Sequence, residues 1–259
     1  MAAEVTRRCK VGVQLHPQHT AIEELRDAWQ RADALGVDSI WLWDHFFPLY
    51  GDPEGPHFEG MSLLSAMAVT TENADIGLLV ACNSYRNPDL LADMACTIDH
   101  LSGGRTILGI GSGWFERDYD EYGYDFATAG QRLRDLGDAL PRINDRLARL
   151  HPGPLGRPMP VLIGGSGERV TLRLVAEHAT MWNTFGPPEN FAAKSAVLDN
   201  HCAAIGRNPA DIERTVCIGA EDLDRLDEYS AAGAQHMILM LGHPFDLGGV
   251  EAVIAYAEG

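Results

Sequence analysis

Two adjacent residues, Asp44-His45, combine a carboxylate with an imidazole directly after the apolar run Ser39-Ile-Trp-Leu-Trp. A histidine at the end of a strand can donate or accept a proton near neutral pH. Neighbouring side chains on an extended strand point to opposite faces, so only one of the two faces a common site unless the backbone turns there. The pair is a candidate for acid–base catalysis. The alternative is a capping aspartate and a histidine that packs under Trp41 or Trp43.

Two glycine-rich segments are candidates for ligand binding. Gly109-Ile-Gly-Ser-Gly-Trp has glycines at alternate positions, which matches neither a dinucleotide-binding motif nor a P-loop. Glycine lets a ligand approach the backbone closely, although glycines also end strands. Gly164-Gly-Ser-Gly-Glu lies between a predicted strand and a predicted helix, where backbone amides and the helix dipole favour a phosphate. The alternative for this second segment is a tight turn with a serine cap.

The histidines and cysteines follow no metal-binding pattern. His16 and His19 are three residues apart, but Pro17 prevents a helix there, and the H-x-H spacing of metal-dependent barrel hydrolases is absent. The five cysteines are scattered and form no C-x-x-C pair. We therefore expect reduced thiols and no bound metal.

Charge and hydropathy exclude two classes of partner. The formal net charge of −17 argues against nucleic-acid binding, which depends on Lys and Arg side chains that neutralise phosphates. No run of about 18 apolar residues is present, so no membrane-spanning segment is expected. The first residues lack the apolar core of a signal peptide. The sequence therefore predicts a cytoplasmic protein.

Short apolar runs alternate with longer segments of helical periodicity along the chain. The predicted strands are residues 10–16, 38–44, 74–82, 105–111, 160–165, 179–183, 212–219 and 234–241. The predicted helices are residues 20–35, with Thr20 as cap and Glu23 as its capping-box partner, then 61 onward, 87–100, 128–150, 168 onward, 191–205, 222 onward and 248 onward.

Eight strand–helix units in a chain of 259 residues favour an α/β fold, a single (β/α)8 TIM barrel over residues 1–259. The alternative is an open doubly wound sheet. It is less favoured because no predicted strand is followed by the G-x-G-x-x-G turn that usually marks that fold.

Ligands of TIM barrels bind at the carboxyl ends of the strands. The residues predicted there are rich in glycine, aromatic and polar types, as a planar ligand with polar edges requires. They are Gln14, His16, Asp44, His45, residues 79–83, residues 111–114, residues 164–167, Trp182 and Asn183.

With these strand ends, the chain resembles the luciferase-like monooxygenase family, and within it the oxidoreductases that use the deazaflavin coenzyme F420. The matching segments are Ser39-Ile-Trp-Leu-Trp-Asp-His-Phe, Gly77-Leu-Leu-Val, Tyr85-Arg-Asn-Pro-Asp-Leu-Leu-Ala, Asp99-His-Leu-Ser-Gly-Gly-Arg, Leu108-Gly-Ile-Gly-Ser-Gly-Trp, Pro160-Val-Leu-Ile-Gly-Gly-Ser-Gly-Glu and Trp182-Asn. They occur in the family's order over nearly the whole chain, and they are more specific for the family than for the cofactor.

The resemblance implies a role for each matching position. Asp44 would contact the deazaflavin, and His45 would handle the proton. A non-prolyl cis peptide would fall at Leu79–Val80 and support the cofactor ring, with Cys82 beside it. The remaining implied contacts are Ser112 and Gly113 at the ring edge, and Gly164, Gly165, Ser166 and Gly167 at the phosphate.

The chain also departs from the family pattern. Trp114 stands where the family's sugar-phosphate dehydrogenases carry a catalytic glutamate, which disfavours that substrate class. Two insertion segments that normally shape the lid are shortened, one between Trp114 and Pro160 and one between Val216 and Glu221. We therefore expect a more open pocket than is usual for the family.

The resemblance implies an F420-dependent oxidoreductase that transfers a hydride between the deazaflavin and a small organic substrate, with His45 as proton donor or acceptor. Two alternatives stay open. One is an FMN-dependent monooxygenase of the same fold, and the other is a flavin-binding protein without catalysis. Arg86 and Arg169 are candidates to meet the anionic cofactor tail. Family members often form dimers, so a homodimer is one option.

Overall fold

The strands of the protein form one closed parallel sheet in a computed structural model that describes residues 7–259. The predicted domain spans residues 1–259, and residues 1–6 lie outside the described part. The nine strand segments are β1 (Lys10–Leu15), β2 (Ser39–Leu42), β3 (Asp75–Leu78), β4 (Ala81–Cys82), β5 (Thr106–Gly111), β6 (Val161–Gly164), β7 (Met181–Phe185), β8 (Glu213–Ile218) and β9 (His236–Leu241).

Two pairings close the sheet into a barrel. β1 pairs in parallel with β9 over six residues, which joins the first strand to the last. β3 also pairs with β5, and the short β4 pairs with the far end of β5. β3 and β4 are therefore one strand that is interrupted at Leu79–Val80, and the barrel has eight strands. The predicted (β/α)8 barrel is confirmed, and the open-sheet alternative is wrong.

Helices of the outer layer follow the strands. They are α1 (Ile22–Leu35), α2 (Gly60–Ala68), α3 (Pro88–Ser102), α4 (Glu116–Tyr122), α5 (Ala129–Arg149), α6 (Thr171–His178), α7 (Pro188–Ala204), α8 (Leu226–Ala231) and α9 (Gly248–Glu258). Within residues 7–259, no helix is both long and apolar enough to cross a lipid bilayer.

Alternating side chains on the strands build two cores. Along β2, Trp41 points into the barrel, while Ile40 and Leu42 pack outward against the helices. The inner core is filled by apolar side chains from successive strands, so the barrel is a packed body and not a pore. Its buried members are Trp41, Leu79, Ile107, Leu162, Met181, Cys217 and Ile238.

The ends of α3 follow sequence signals. The Asn87 side chain accepts hydrogen bonds from the amides of Asp89 and Leu90, and Pro88 occupies the first turn. Gly103 ends the helix in the left-handed region at φ 74°, where glycine carries no steric penalty.

The start of α1 differs from the prediction by one residue. The Glu24 carboxylate, not that of Glu23, accepts a hydrogen bond from the backbone amide of Ala21 at 2.9 Å. The predicted cap, Thr20, lies one residue before the observed cap Ala21, and its hydroxyl donates to Glu24 at 3.2 Å. The predicted pairing of Thr20 with Glu23 is wrong because both capping positions lie one residue further along.

Three other helix predictions need correction. The sequence predicts no helix between residues 111 and 128, so a loop is expected after β5, but this segment contains α4, which Gly123 ends at φ 70°. α6 begins at Thr171 instead of residue 168, and α8 begins at Leu226 after a 3-10 turn at Ala220–Asp222. Between α4 and β6 the chain forms only α5, so the described segment holds no hairpin.

At the amino-terminal end of the barrel, a chain of polar side chains runs from the exposed Lys10 to the buried His236 and Ser39. Lys10 Nζ lies 2.7 Å from Glu213 Oε2, and Glu213 Oε1 lies 2.9 Å from His236 Nδ1. His236 Nε2 in turn lies 2.9 Å from Ser39 Oγ, which also accepts a hydrogen bond from Trp41 Nε1. Burial raises the pKa of Glu213, but the hydrogen bonds and charges of His236 and Lys10 outweigh it and lower that pKa to about 2. Each polar group has a partner, so this end is structural.

Candidate active site

The carboxyl ends of the strands surround a cavity of about 460 Å³. Ligand pockets typically measure about 300–1,000 Å³ and combine an apolar lining with a few oriented polar groups. Most of the residues predicted at strand ends line it, namely Gln14, His16, Asp44, His45, Leu79, Val80, Ala81, Cys82, Gly111, Ser112, Gly113, Trp114, Gly164, Gly165 and Asn183. The predicted strand-end residues that do not line it are Asn83, Ser166, Gly167 and Trp182.

The floor of the cavity is the interruption between β3 and β4. The Leu79–Val80 peptide bond is cis, as the resemblance implies. Gln14 on β1 donates its side-chain amide to the Leu79 carbonyl oxygen at 2.8 Å, which holds this peptide from the neighbouring part of the barrel. Leu79 is buried in the inner core, whereas Val80 is partly exposed to the cavity.

The alternate glycines of β5 make room for this floor. A Cβ on Gly109 would lie 2.0 Å from the Leu78 carbonyl oxygen, and one on Gly111 would lie 2.8 Å from Val80 Cγ2. On the other side, a Cβ on Gly164 would lie 2.9 Å from Val80 Cγ1. The glycines thus make room for the backbone and side chain of residues 78–80. The sequence suggested only that they let a ligand approach.

Gly113, two residues after Gly111, lines the cavity beside Cys82. It has φ 78°, and a Cβ there would lie 2.0 Å from Tyr119 Oη and 2.6 Å from Cys82 Sγ. Cys82 Sγ is 3.2 Å from Tyr119 Oη, and burial raises the pKa of the Cys82 thiol. Cys82 is therefore a neutral contact group and not a thiolate nucleophile.

His45 is oriented by a buried carboxylate. His45 Nδ1 lies 2.7 Å from Oδ2 of Asp118, a fully buried residue on α4. Asp118 also accepts hydrogen bonds from the Phe46 amide at 3.0 Å and from the Tyr85 hydroxyl at 2.8 Å. A carboxylate on Nδ1 favours the tautomer with the proton on that nitrogen. Nε2 of His45, which has no hydrogen-bond partner within residues 7–259, is then left for a molecule in the cavity.

Tyr85 completes this arrangement as a hydrogen-bond donor. Burial, with the negative charge of Asp118 nearby, raises the pKa of the Tyr85 phenol well above its usual value. The phenol therefore stays protonated and donates a hydrogen bond to the Asp118 carboxylate, which in turn orients His45.

Asp44 is engaged in a different network. Its carboxylate accepts hydrogen bonds from both terminal nitrogens of Arg86, at 2.6 and 2.9 Å, and from the backbone amide of Cys82 at 2.9 Å. Arg86 also pairs with Glu59 at 2.8 Å. Burial disfavours the Arg86 charge, but these two carboxylates outweigh it and raise the pKa of the guanidinium. Asp44 and His45 thus have separate partners, and Arg86 is not free to meet a cofactor tail.

The turn of residues 164–167 lies beside the cavity and leads toward α6. Gly164 and Gly165 line the cavity, whereas Ser166 and Gly167 are exposed beyond its edge. The Gly165 carbonyl accepts a hydrogen bond from Trp182 Nε1 at 2.8 Å, which braces the turn from behind. Arg169 follows on the surface, and it forms no ion pair with any residue in the described part of the chain.

The structure adds functional positions that the sequence did not reveal. Asp118 lies in a segment that was expected to be a loop, with no motif to distinguish it from Asp120 or Asp125. Gln14 was identified as a strand-end residue, but its contact with the Leu79 carbonyl was not foreseen. In the region that the structure describes, no three His, Cys, Asp or Glu side chains gather as metal ligands.

Two curated relatives match much of this chain. F420-dependent glucose-6-phosphate dehydrogenase of Microbacterium testaceum (strain StLB037) is 28% identical over 211 residues, which cover 73% of this chain and 61% of that protein. Pyrimidine monooxygenase RutA of Enterobacter sp. (strain 638) is 28% identical over 220 residues, which cover 75% of this chain and 55% of that protein. The chain therefore spans less than two thirds of either relative.

Two further comparisons concern the fold and the family. A solved structure of an F420-dependent secondary alcohol dehydrogenase in complex with an F420–acetone adduct superposes with a TM-score of 0.84, at 14% identity, over 96% of this chain and 99% of that one. At this identity the likeness shows a common fold. The family model for luciferase-like monooxygenases matches residues 5–241. This chain belongs to the luciferase-like monooxygenase family.

Proposed function

We propose that the protein is an F420-dependent oxidoreductase, in which a hydride passes between the deazaflavin and a small organic substrate while His45 handles the proton. The observation that carries the proposal is the His45–Asp118 pair above the Leu79–Val80 floor. An imidazole whose Nδ1 is bonded to a buried carboxylate, and whose Nε2 faces a ligand cavity, is arranged for acid–base catalysis.

The residues of the cavity fit a flat ring system. Val80 gives a partly exposed apolar floor, and the backbones of Gly111, Gly113, Gly164 and Gly165 form wall segments without side chains. Leu79, Val80 and Cys82 would support the ring, and Ser112 and Gly113 would contact its edge. Gly164, Gly165, Ser166 and Gly167, with Arg169, would contact the anionic tail ahead of α6, where the amides of Ser166 and Gly167 are the donors because the Gly165 amide already donates to the Asn183 carbonyl oxygen at 3.0 Å. When bound, the deazaflavin supplies two-electron hydride chemistry.

The protein's own groups would handle the proton. In oxidation of an alcohol, the unprotonated Nε2 of His45 accepts the hydroxyl proton. In the reverse direction, the imidazolium donates that proton to the forming alkoxide. Asp118 stabilises the imidazolium because its carboxylate lies 2.7 Å from Nδ1. Asp44 would act indirectly, since it fixes Arg86 and the Cys82 amide at the edge of the cavity.

An FMN-dependent monooxygenase is the second candidate. This candidate is supported by the relatives of the chain, which include pyrimidine and limonene monooxygenases as well as F420-dependent enzymes. A flavin-binding protein without catalysis has less support, because it would not need a histidine held by a buried carboxylate. A cytoplasmic location and a homodimer stay with the proposal as expectations.

Titration of the purified protein with F420 and with FMN, followed by cofactor fluorescence, tests the proposal. We expect F420 to bind more tightly and to support turnover without oxygen uptake. His45→Gln should lower kcat by about 100-fold to 10,000-fold, the usual contribution of a general acid or base, with F420 affinity retained. Tight binding of FMN alone, with oxygen consumption, would contradict the cofactor assignment and favour the monooxygenase.

A further inference from the structure

One half of the cavity is walled by aromatic rings. The His16 ring stacks on Trp43 with centroids 4.3 Å apart, and Tyr50 lies 6.2 Å from Trp43. The Trp114 ring packs edge-on against the His45 ring, with the ring centroids 5.7 Å apart. All five side chains line the cavity. The nitrogen that would handle the proton therefore lies among flat apolar surfaces.

Three aromatic rings at this cavity are exposed to solvent. Tyr50 is 64% exposed, Trp114 62% and Phe185 60%, although side chains of this size are usually largely buried. Each of the three lines the same cavity. A cluster of exposed aromatic rings around a concave site is typical of a surface that covers an apolar ligand.

The cavity offers no positive charge to an anionic substrate. Among residues 7–259, no Lys or Arg lines it. Its one carboxylate, Asp44, is paired with Arg86. Burial lowers the pKa of His16 to about 4, so that histidine is neutral at physiological pH. The net charge of −17 adds a repulsive field for anions over the whole molecule.

We propose that the substrate is an uncharged alcohol or carbonyl compound with a flat apolar body, seated among Trp43, Tyr50 and Trp114 with its oxygen at His45 Nε2. This inference rests on the proposed function and names its substrate class. In oxidation, the carbon-bound hydrogen leaves with its electron pair to the deazaflavin, the hydroxyl proton passes to His45, and a carbonyl forms. Reduction reverses each of these transfers.

Trp114 is the residue that selects for this class. Trp114 follows Ser112 and Gly113 in the cavity lining. Its ring is exposed to solvent and lies 5.7 Å from the His45 ring. An anionic group placed against this ring would lose its hydration without gaining a cationic partner, which is unfavourable. An apolar ring placed there would instead gain an aromatic contact.

Binding of three ligands to the protein loaded with oxidised F420 tests the inference, and reduction of F420 by the sugar phosphate would count against it. The probes are acetophenone, its para-carboxylate 4-acetylbenzoate, and glucose 6-phosphate, with dissociation constants from equilibrium dialysis. We expect acetophenone to bind at least about 10-fold more tightly than either anion. Trp114→Ala should weaken acetophenone about 3-fold to 10-fold, while Trp114→Phe keeps most of the affinity. Leu90→Ala, an exposed apolar site away from the cavity, should change nothing.

A second variant introduces the missing charge. Leu49 lines the aromatic half, so Leu49→Arg should raise the affinity for 4-acetylbenzoate relative to acetophenone. Equal or tighter binding of an anion to the wild type, or no binding of acetophenone, would overturn the inference. The same series on FMN-loaded protein separates the outcomes, because a wrong cofactor assignment leaves the preference for the neutral ligand intact.

Discussion

At the scale of single residues, the acid–base chemistry proposed for His45 would depend on Asp118, a carboxylate that is not part of the cavity lining. Asp118 bonds His45, the Phe46 amide and Tyr85 at the same time, so both its oxygens are occupied and its position is fixed. Such a carboxylate selects the tautomer of the imidazole and stabilises its protonated form. Asp118 is therefore a positioning residue for His45.

Replacement of Asp118 by asparagine should separate this role from a purely structural one. We expect Asp118→Asn to lower kcat about 10-fold to 100-fold while KM and the affinity for F420 change little, because the amide no longer fixes the His45 tautomer that leaves Nε2 unprotonated. Asp120→Asn, on the exposed side of the same helix, is the matched control. An unchanged kcat, or an equal loss of F420 affinity, would contradict the positioning role.

At the scale of elements, the cavity floor depends on how β3, β5 and β6 meet. Val80 packs between the backbones of Gly111 and Gly164, where an added Cβ would come within 3 Å of its methyl groups from either side. A branched side chain confined from both sides cannot move to relieve such a contact. The missing side chains on β5 and β6 thus set the shape of the floor.

Addition of one methyl group at this point should therefore be costly. We expect Gly111→Ala to lower the free energy of unfolding by about 1–3 kcal/mol, as overpacked cores do, and to weaken cofactor binding. Gly130→Ala on α5 is the control, because a Cβ there meets nothing closer than 3.7 Å. Urea unfolding and fluorescence titration measure the two effects, and equal stabilities of the two variants would refute the packing argument.

At the scale of the whole molecule, two partly buried histidines link stability to pH. His57 accepts a hydrogen bond from Trp43 Nε1 at 2.9 Å, and burial lowers its pKa to about 4. Burial also lowers the pKa of His16 to about 4. In the unfolded chain these groups titrate near 6.5. Between pH 6.5 and pH 4 the unfolded state binds more protons than the folded state, so the free energy of unfolding falls as the pH decreases.

His57→Gln isolates one of these contributions. The amide oxygen of glutamine can still accept from Trp43, but it does not titrate. We expect the wild type to lose up to about 3 kcal/mol more than the variant between pH 7 and pH 4, since a depression of about 2.5 units acts over that window. Thermal unfolding at a series of pH values measures the difference. Parallel pH dependences of the two proteins would show that His57 does not contribute.

Much of the architecture is determined by the sequence alone. Asn87, Pro88 and Gly103 set the ends of α3, because capping and left-handed backbone depend on one or two residues. The alternation of apolar runs and helical segments predicts the number of strands and favours a closed parallel sheet. The strand ends, and with them most of the cavity lining, follow from that pattern.

The tertiary structure decided the partners within the site. Asp118 reaches His45 across 73 residues of chain, and Arg86 reaches Asp44 across 42. Neither pairing has a local signature, since closure of the barrel and the register of neighbouring strands bring these side chains together. The same closure leaves Ser166 and Gly167 outside the cavity while Gly164 and Gly165 line it. Local propensity acts over a few residues, whereas the chemistry of a barrel depends on which strand ends become neighbours.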